Sequence, residues 1–165
     1  MVMTPLQGMA RLVALLFYHF AAEAEETLGV EEGRAFVSRA IRRMGRERGR
    51  LIRARVDAAG LEPTLENMFR HYDLPIGEAW ETSSQRTGDR FTQRMHRCPL
   101  AEVWQEFAAE AQGVLYCDVD MAIIEGYNPD ITIRRIKNLQ DGDSCCEYEY
   151  VTTDADACHA GEDCA

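Results

Sequence analysis

A long amphipathic segment from Glu31 to Ala59 constrains the fold most strongly, because its apolar residues recur at helical spacing until Gly60 ends the pattern. Gly45 and Gly49 lie four residues apart inside this segment. Each glycine costs about 1 kcal/mol relative to alanine in a helix interior, so a compensating contact is expected. Close packing against another helix or strand would supply it, and so would close approach of the backbone to a ligand. The apolar positions are Ala35, Phe36, Ala40, Ile41, Met44, Leu51, Ile52 and Val56.

The rest of the chain predicts helices first and a small sheet later. Three further helices are expected, together with a segment that fits either a helix or a strand. The first is Thr4 to Leu28, with Leu12, Leu15, Leu16 and His19 on one face. The second is Leu65 to Trp80, which is interrupted near Pro75, and the third is Leu100 to Ala111, with Pro99 at its start and Gly113 at its end. The ambiguous segment is Tyr116 to Glu125.

Alternating residues predict three strands after the first three helices. A hairpin turn at Gln140 to Asp143 joins the last two strands, with Gly142 where a positive φ is needed. The strands are Phe91 to His96, Ile131 to Leu139 and a final strand that carries Cys146, Tyr148 and Tyr150, and Thr82 to Asp89 is expected to be a polar loop. The predicted fold class is therefore α+β, with N-terminal helices followed by a small antiparallel sheet and a packed helix. With 165 residues, we expect a single domain over residues 1–151.

Charge is distributed unevenly around a net value of −10. The segment 31–60 contains nine arginines against four acids, whereas residues 138–165 contain eight acids and neither lysine nor arginine. We expect two solvated surfaces that face each other within the fold or across a homodimer. The acidic balance argues against nucleic acid or an anionic membrane as the main partner. Residues 152–165 are acidic and poor in core-forming residues, which predicts a disordered tail.

The compartment predicted from the sequence is the cytoplasm. The apolar run from Leu12 to Phe20 has about nine residues, whereas a membrane span needs about 20. Without a convincing export signal, the six cysteines are expected to be thiols rather than disulfides.

The first residues that could carry chemistry are His96, Arg97 and Cys98, which precede the helix at Pro99. The partial positive charge of a helix N-terminus lowers the pKa of a thiol, and both neighbouring cations would act in the same direction. The sequence equally allows Cys98 to be a small buried residue beside a surface histidine.

Cys117 and Asp120 are the second candidate pair. If their segment is helical, they lie three residues apart on one face, where a thiol and a carboxylate could form a nucleophile and acid/base pair. The carboxylate alone would raise the pKa of the thiol, so activation needs a nearby cation or metal. The alternative is a core cysteine with a solvated aspartate.

Two further clusters come later in the chain. Asn128 could offer its amide to a ligand or only form a turn, and Asp143 would shape the hairpin turn. Adjacent residues of a strand face opposite sides, so only one of Cys145 and Cys146 can join a given site, and the alternation places Cys146 on the face of the tyrosines. Cys158, His159 and Cys164 in the tail form a possible soft-metal cluster without a strong zinc spacing.

Taken in order, these motifs resemble the L-2-amino-thiazoline-4-carboxylic acid hydrolase family over roughly residues 30 to 150. The resemblance is carried by the glycine-punctuated arginine helix, Arg97-Cys98-Pro99, Tyr116-Cys117-Asp118-x-Asp120, Tyr127-Asn128-Pro129 and Gly142-Asp143-x-x-Cys146-x-Tyr148.

The resemblance implies a hydrolase that opens a 2-amino-thiazoline ring with water to give N-carbamoyl-cysteine. It implies Cys117 or Cys98 as the nucleophile, Asp120 as the acid/base, and Arg97 as the cation for the 4-carboxylate. Cys146 joins the predicted catalytic set; the predicted substrate-binding set consists of His96, Arg97, Asn128 and Asp143. No cofactor is expected.

The sequence is also compatible with two other functions. Cys117-x-x-Asp120 followed by Cys146 is similar to the arrangement in alkylmercury lyases, which implies soft-metal or organometal chemistry at Cys117 and Cys146. The chain could also be a non-catalytic accessory protein that binds a small molecule.

Overall fold

The computed structural model describes residues 3–152, and the α+β prediction is confirmed. The helices are α1 (Pro5–Leu28), α2 (Val30–Ala58), α3 (Leu65–Arg70), α4 (Pro99–Glu106), α5 (Glu110–Tyr116) and α6 (Val119–Tyr127). The strands are β1 (Glu81–Thr87), β2 (Arg90–Arg97), β3 (Thr132–Lys137) and β4 (Cys146–Val151). Short 3-10 helices span Ile76–Glu78 and Leu139–Asp141. None of the helices within residues 3–152 has both the length and the apolar character that crossing a membrane requires.

Helix α1 begins and ends where the sequence predicts, but a different face is buried. The Thr4 hydroxyl accepts a hydrogen bond from the Gln7 backbone N–H, and Gly29 separates α1 from α2 with a φ of 85°. The face predicted to be apolar does not form the packed surface, because Leu12 and Leu16 on it are 63% and 72% exposed. Small residues allow close approach on the buried face, which consists of Ala10, Ala14, Phe17, Ala21 and Ala24.

The two glycines inside α2 pack against α6, which confirms the helix-packing alternative. A Cβ atom at Gly45 would lie 2.6 Å from the Cβ of Ala122. At Gly49 it would lie 2.7 Å from the backbone nitrogen of Tyr127. A Cβ atom at Gly126 of α6 would lie 2.8 Å from the Cα atom of Arg46 in α2. The helix axes can therefore approach only because these side chains are absent.

The sheet is antiparallel with the strand order β1-β2-β4-β3. The inner strand β4 turns Cys146, Tyr148 and Tyr150 into the core, as the alternation predicted. Gly142 takes the expected positive φ of 86°. The polar loop predicted at Thr82 to Asp89 is wrong, because most of it forms the edge strand β1. Its side chains are exposed throughout, so it lacks the apolar alternation of a half-buried strand.

Two predicted helices are shorter than expected. The helix expected from Leu65 ends at Arg70, and the helix expected over Leu100 to Ala111 is broken at Ala108, whose φ is 49°. Gly113 does not close a helix but lies inside α5, where a Cβ atom would be 2.6 Å from the ring of Trp104. The ambiguous segment from Tyr116 to Glu125 is helical except for a turn at Cys117 and Asp118, which separates α5 from α6.

Ion pairs link the arginines of α2 to acids elsewhere in the fold. Arg42 and Arg46 pair with Glu125 of α6, and Arg34 pairs with Glu25 of α1. The predicted acidic tail lies outside the described residues, except for Thr152. That residue is buried, and its backbone N–H donates to the carbonyl of Asp89 at 3.3 Å, so it belongs to the folded part.

Candidate functional site

A narrow cavity of about 80 Å³ lies between α2, the start of α4, the start of α6 and strand β4. We call it the thiol–carboxylate cavity. By size it holds roughly six water-sized groups, which suits a small ring with its substituents. Its polar lining consists of Arg48, Tyr72, Cys98, Tyr116, Cys117, Asp120, Cys146 and Tyr148, and its apolar lining of Leu74, Trp80, Met95, Leu100, Trp104 and Val119.

Asp120 is the carboxylate of this cavity and projects from the first turn of α6. The Tyr148 hydroxyl donates a hydrogen bond of 2.7 Å to its Oδ2 atom. Burial raises the pKa of Asp120, although the tyrosine hydrogen bond and the positive charges of Arg48 and Arg135 oppose that shift. A carboxylate with a raised pKa is a stronger base than an ordinary aspartate, which suits it to proton transfer.

Cys117 lines the same cavity from the turn between α5 and α6, three residues before Asp120. Burial raises the pKa of its thiol well above the ordinary value, and the Asp120 carboxylate raises it further, as the sequence predicted. Arg135 opposes this shift and is the nearby cation that activation would need. The thiol also donates a hydrogen bond to the Gly113 carbonyl at 3.6 Å. Cys117 is therefore a protonated thiol at neutral pH and needs a base before it can attack.

Cys98 and Cys146 complete the thiol lining. Cys98 is the N-cap residue of α4. The predicted lowering of its pKa is wrong, because burial raises the pKa more than hydrogen bonds from the backbone N–H groups of Leu100 and Ala101 lower it. Burial likewise raises the pKa of Cys146 to about 11. All four cysteines within residues 3–152 are free, and Cys145 lies next to Cys146 without lining the cavity.

Arg48 is the functional candidate that sequence reasoning missed. It projects from α2 into the cavity wall and makes a two-point contact with Asp73, with Nε–Oδ2 and Nη2–Oδ1 distances of 2.8 and 2.6 Å. Its guanidinium carbon lies 5.6 Å from the centre of the Tyr72 ring. These contacts fix the guanidinium at the cavity, where it can bind an anionic group.

His96 and Arg97 lie outside the lining of the thiol–carboxylate cavity. The exposed His96 places Nε2 2.8 Å from the Ser83 hydroxyl on the neighbouring strand. Arg97 pairs with Glu102 in the first turn of α4, with an Nε–Oε1 distance of 2.5 Å. The predicted carboxylate cation thus has an acidic partner outside the cavity.

Asn128 and Asp143 also lie apart from the thiol–carboxylate cavity, and both make turn contacts. The Asn128 amide donates to the Pro63 carbonyl at 3.0 Å, and its oxygen accepts from the Asp130 backbone N–H. Asp143 accepts a hydrogen bond of 2.9 Å from the Asn138 backbone N–H across the turn before β4. Of the predicted site residues, the structure therefore brings together Cys98, Cys117, Asp120 and Cys146.

The family comparison agrees with the resemblance found in the sequence and extends it toward the N-terminus. A family model described as L-2-amino-thiazoline-4-carboxylic acid hydrolase matches residues 9–150. The chain belongs to this family. The match includes α1 from Met9 onward and every residue that lines the thiol–carboxylate cavity. The family name implies a hydrolase. No curated protein sequence matches the chain.

Two solved structures share the fold of this family member at low sequence identity. One is a trafficking protein particle complex subunit 3 from Naegleria fowleri covalently bound to palmitic acid, with a TM-score of 0.55, 14% identity, and coverage of 87% of this chain and 95% of that chain. The other is the phenol-responsive sensory domain of the transcription activator PoxR with phenol, with a TM-score of 0.53, 13% identity, and coverage of 92% and 76%. At these identities the likeness concerns the fold alone.

Metal binding by this family member stays a prediction. Within residues 3–152, no group of three or more histidine, cysteine, aspartate and glutamate side chains is arranged to hold a metal ion. The soft-metal alternative would have to use Cys117 and Cys146 as a two-thiolate site. The predicted cluster of Cys158, His159 and Cys164 lies outside the described residues.

Proposed function

We propose that the chain hydrolyses a small cyclic thio-amidine such as 2-amino-thiazoline-4-carboxylate and releases N-carbamoyl-cysteine. The observation that carries this proposal is the meeting of Asp120, Cys117 and Arg48 at one small cavity in a member of this hydrolase family. The reaction needs a base, a nucleophile and a cation for the carboxylate, and these three side chains supply one each.

In the first step, Asp120 removes the proton of the Cys117 thiol. The sulfur then bonds to C2 of the ring, the ring C2–S bond breaks, and the proton passes from Asp120 to the departing ring sulfur. The raised pKa of Asp120 suits it to both transfers, since it lies closer to that of the thiols than an ordinary aspartate does.

In the second step, Asp120 takes a proton from water, whose oxygen attacks the same carbon. The bond to the Cys117 sulfur breaks and that sulfur recovers the proton. The second proton of the water passes to the former ring nitrogen, so a urea group remains on the released cysteine product. Arg48 binds the substrate carboxylate throughout, using the guanidinium edge that faces away from Asp73. Direct attack of water on the ring, with Asp120 as the base, would give the same product without an enzyme-bound intermediate.

Thiol release and product mass test the proposal. The protein is incubated with 2-amino-thiazoline-4-carboxylate, the new thiol is titrated with a chromogenic disulfide, and N-carbamoyl-cysteine is identified by mass spectrometry. We expect turnover that falls at least 100-fold in Asp120→Asn, since general acid–base catalysis contributes about 10²–10⁴-fold. Asp130→Asn is the matched control, because Asp130 is an exposed aspartate shortly after the same helix and does not line the cavity.

The role of Cys117 separates the two routes. Covalent catalysis predicts that Cys117→Ala is inactive and that the wild-type protein gains the mass of one substrate molecule in the first turnover. Cys145→Ala is the control, since Cys145 is a buried free thiol outside the cavity lining. Activity retained by Cys117→Ala but lost in Cys98→Ala would assign the attack to Cys98, and activity retained by both variants would assign it to water. No turnover by the wild-type protein would contradict the hydrolase proposal.

A binding protein without catalysis is the second candidate, favoured by the raised pKa values of all three thiols that line the cavity. Thiols that remain protonated form an apolar, polarizable wall suited to holding a small molecule. The two solved structures of this fold, one with palmitic acid and one with phenol, are consistent with such a role. This candidate predicts saturable binding of a thio-amidine with no product release under the same assay.

A further inference from the structure

A second cavity of about 210 Å³ adjoins the thiol–carboxylate cavity along α1. We call it the α1 annex. Five lining residues belong to both cavities, so the two spaces share a wall: Arg48, Leu74, Trp80, Leu100 and Tyr116. The rest of the annex lining is apolar and consists of Leu6, Met9, Ala10, Val13 and Met44.

The annex has the chemistry of a binding site for an apolar group. Arg48 is the single charged residue of its lining, and that side chain is already paired with Asp73. A space lined by leucine, methionine and tryptophan offers water few hydrogen-bond partners, so an alkyl or aryl group displaces water from it favourably. The annex is also larger than the thiol–carboxylate cavity and has room on the order of ten or more water-sized groups.

The two cavities differ in the residues that they do not share. Of the two, Asp120 and the thiols line only the thiol–carboxylate cavity, and the apolar side chains of α1 line only the annex. A 2-amino-thiazoline-4-carboxylate ring has no substituent that would reach across this division, so it would leave the annex empty. A molecule with a thio-amidine head and an apolar substituent would fill both spaces.

We propose that the α1 annex is a specificity pocket for an alkyl or aryl group of roughly six to ten carbons, attached to a thio-amidine head that binds beside Asp120 and Cys117. The inference rests on the proposed function for the identity of the head group. The existence of the apolar pocket rests on the annex lining alone. If the α1 annex binds the substituent, α1 is part of the binding site, and the exposed rim residues Met9 and Val13 help to select the ligand.

Binding of S-alkyl isothioureas tests the inference without any need for turnover. These compounds carry a sulfur and two nitrogens on one carbon, as the thiazoline head does, and the alkyl chain can be lengthened one carbon at a time. Dissociation constants of the S-methyl, S-butyl, S-hexyl and S-benzyl compounds are measured by calorimetry with the full chain. We expect binding to tighten by up to about fourfold for each methylene that enters the annex.

Val13→Trp supplies the structural control, because Val13 lies at the rim and is 38% exposed, so a larger side chain can fill the annex while the fold is kept. We expect this variant to bind the S-methyl compound as the wild type does and to lose the dependence on chain length. Leu12→Trp is the matched control on the adjacent position of α1, which is 63% exposed and does not line the annex.

Three results would overturn the inference. The affinity could be independent of chain length, the dependence could survive in Val13→Trp, or no member of the series could bind. If a second copy of the chain occupied the annex instead, light scattering would show a dimer that Val13→Trp dissociates, and chain length would have no effect. The hydrolase proposal is judged separately by thiol release from 2-amino-thiazoline-4-carboxylate, so either proposal can fail while the other stands.

Discussion

Replacing Gly49 by alanine should destabilise the protein even though alanine is the better helix former. The change gains about 1 kcal/mol of helix propensity. The new Cβ atom would lie 2.7 Å from the Tyr127 nitrogen and closer still to the Ile123 carbonyl oxygen, and both are backbone atoms that cannot rotate away. Overpacking of this kind typically costs about 1–3 kcal/mol, and backbone contact favours the upper end. We therefore expect the free energy of unfolding to fall by about 2 kcal/mol.

Gly8→Ala is the matched comparison for this prediction. Gly8 also lies within a helix, but the nearest atom to a Cβ there is the sulfur of Met3 at 3.8 Å. We expect Gly8→Ala to be neutral or up to about 1 kcal/mol more stable than the wild type. Urea denaturation followed by circular dichroism measures both variants. Equal or greater stability in Gly49→Ala would refute the close contact between α2 and α6.

Three further outcomes follow from the charges and thiols around the cavity. The folded protein holds the Asp120 proton more tightly than the unfolded chain does, so ionisation of Asp120 destabilises the fold as pH rises from about 3.8 through the raised pKa. The stability of Asp120→Asn relative to the wild type should therefore increase between pH 4 and pH 8. A difference in urea midpoints that does not change with pH would contradict the raised pKa. Arg48→Met should lower the free energy of unfolding by about 1–3 kcal/mol, because it leaves the part-buried Asp73 unpaired. The control Arg50→Met should change the free energy of unfolding by less than about 0.5 kcal/mol. Equal effects of the two variants in urea denaturation would count against the contact between Arg48 and Asp73. Cys98 and Cys117 should react with iodoacetamide more slowly than a free thiol at pH 7, and peptide mapping that finds either one labelled faster would mean that a cation lowers its pKa after all.

The sequence predicted the elements whose signals are local. Gly29 and Gly60 ended the two long helices close to the expected residues, and the alternation of Cys146, Tyr148 and Tyr150 gave the buried face of β4. Strand β1 was missed because both faces of this edge strand are exposed, so the hydrophobic alternation of a half-buried strand never develops. The apolar face of α1 was misjudged because small alanines, rather than the larger leucines, form its packed surface.

The candidate site was predicted where its residues are close in the sequence and missed where they come from distant elements. Spacing alone related Cys117 to Asp120, and both line the cavity, although Cys117 follows α5 and Asp120 lies in α6. Arg97 looked suited to bind a carboxylate because of its neighbours in the sequence, but its partner is Glu102, five residues later in the chain. Arg48 is 72 positions from Asp120, and no local pattern relates the two residues.

The helical register of α2 explains which of its nine arginines faces the cavity. Gly45 and Gly49 mark the side of the helix that packs on α6. With 3.6 residues per turn, Arg48 projects at roughly 60° from Gly45, beside the packed side, whereas Arg43 and Arg50 project from the opposite side. Those two arginines are exposed, and Arg48 lines the cavity. The glycine pair thus sets the spacing that brings α6 and Asp120 close to α2. The same packing leaves Arg48 as the arginine of α2 that lines the cavity beside Asp120.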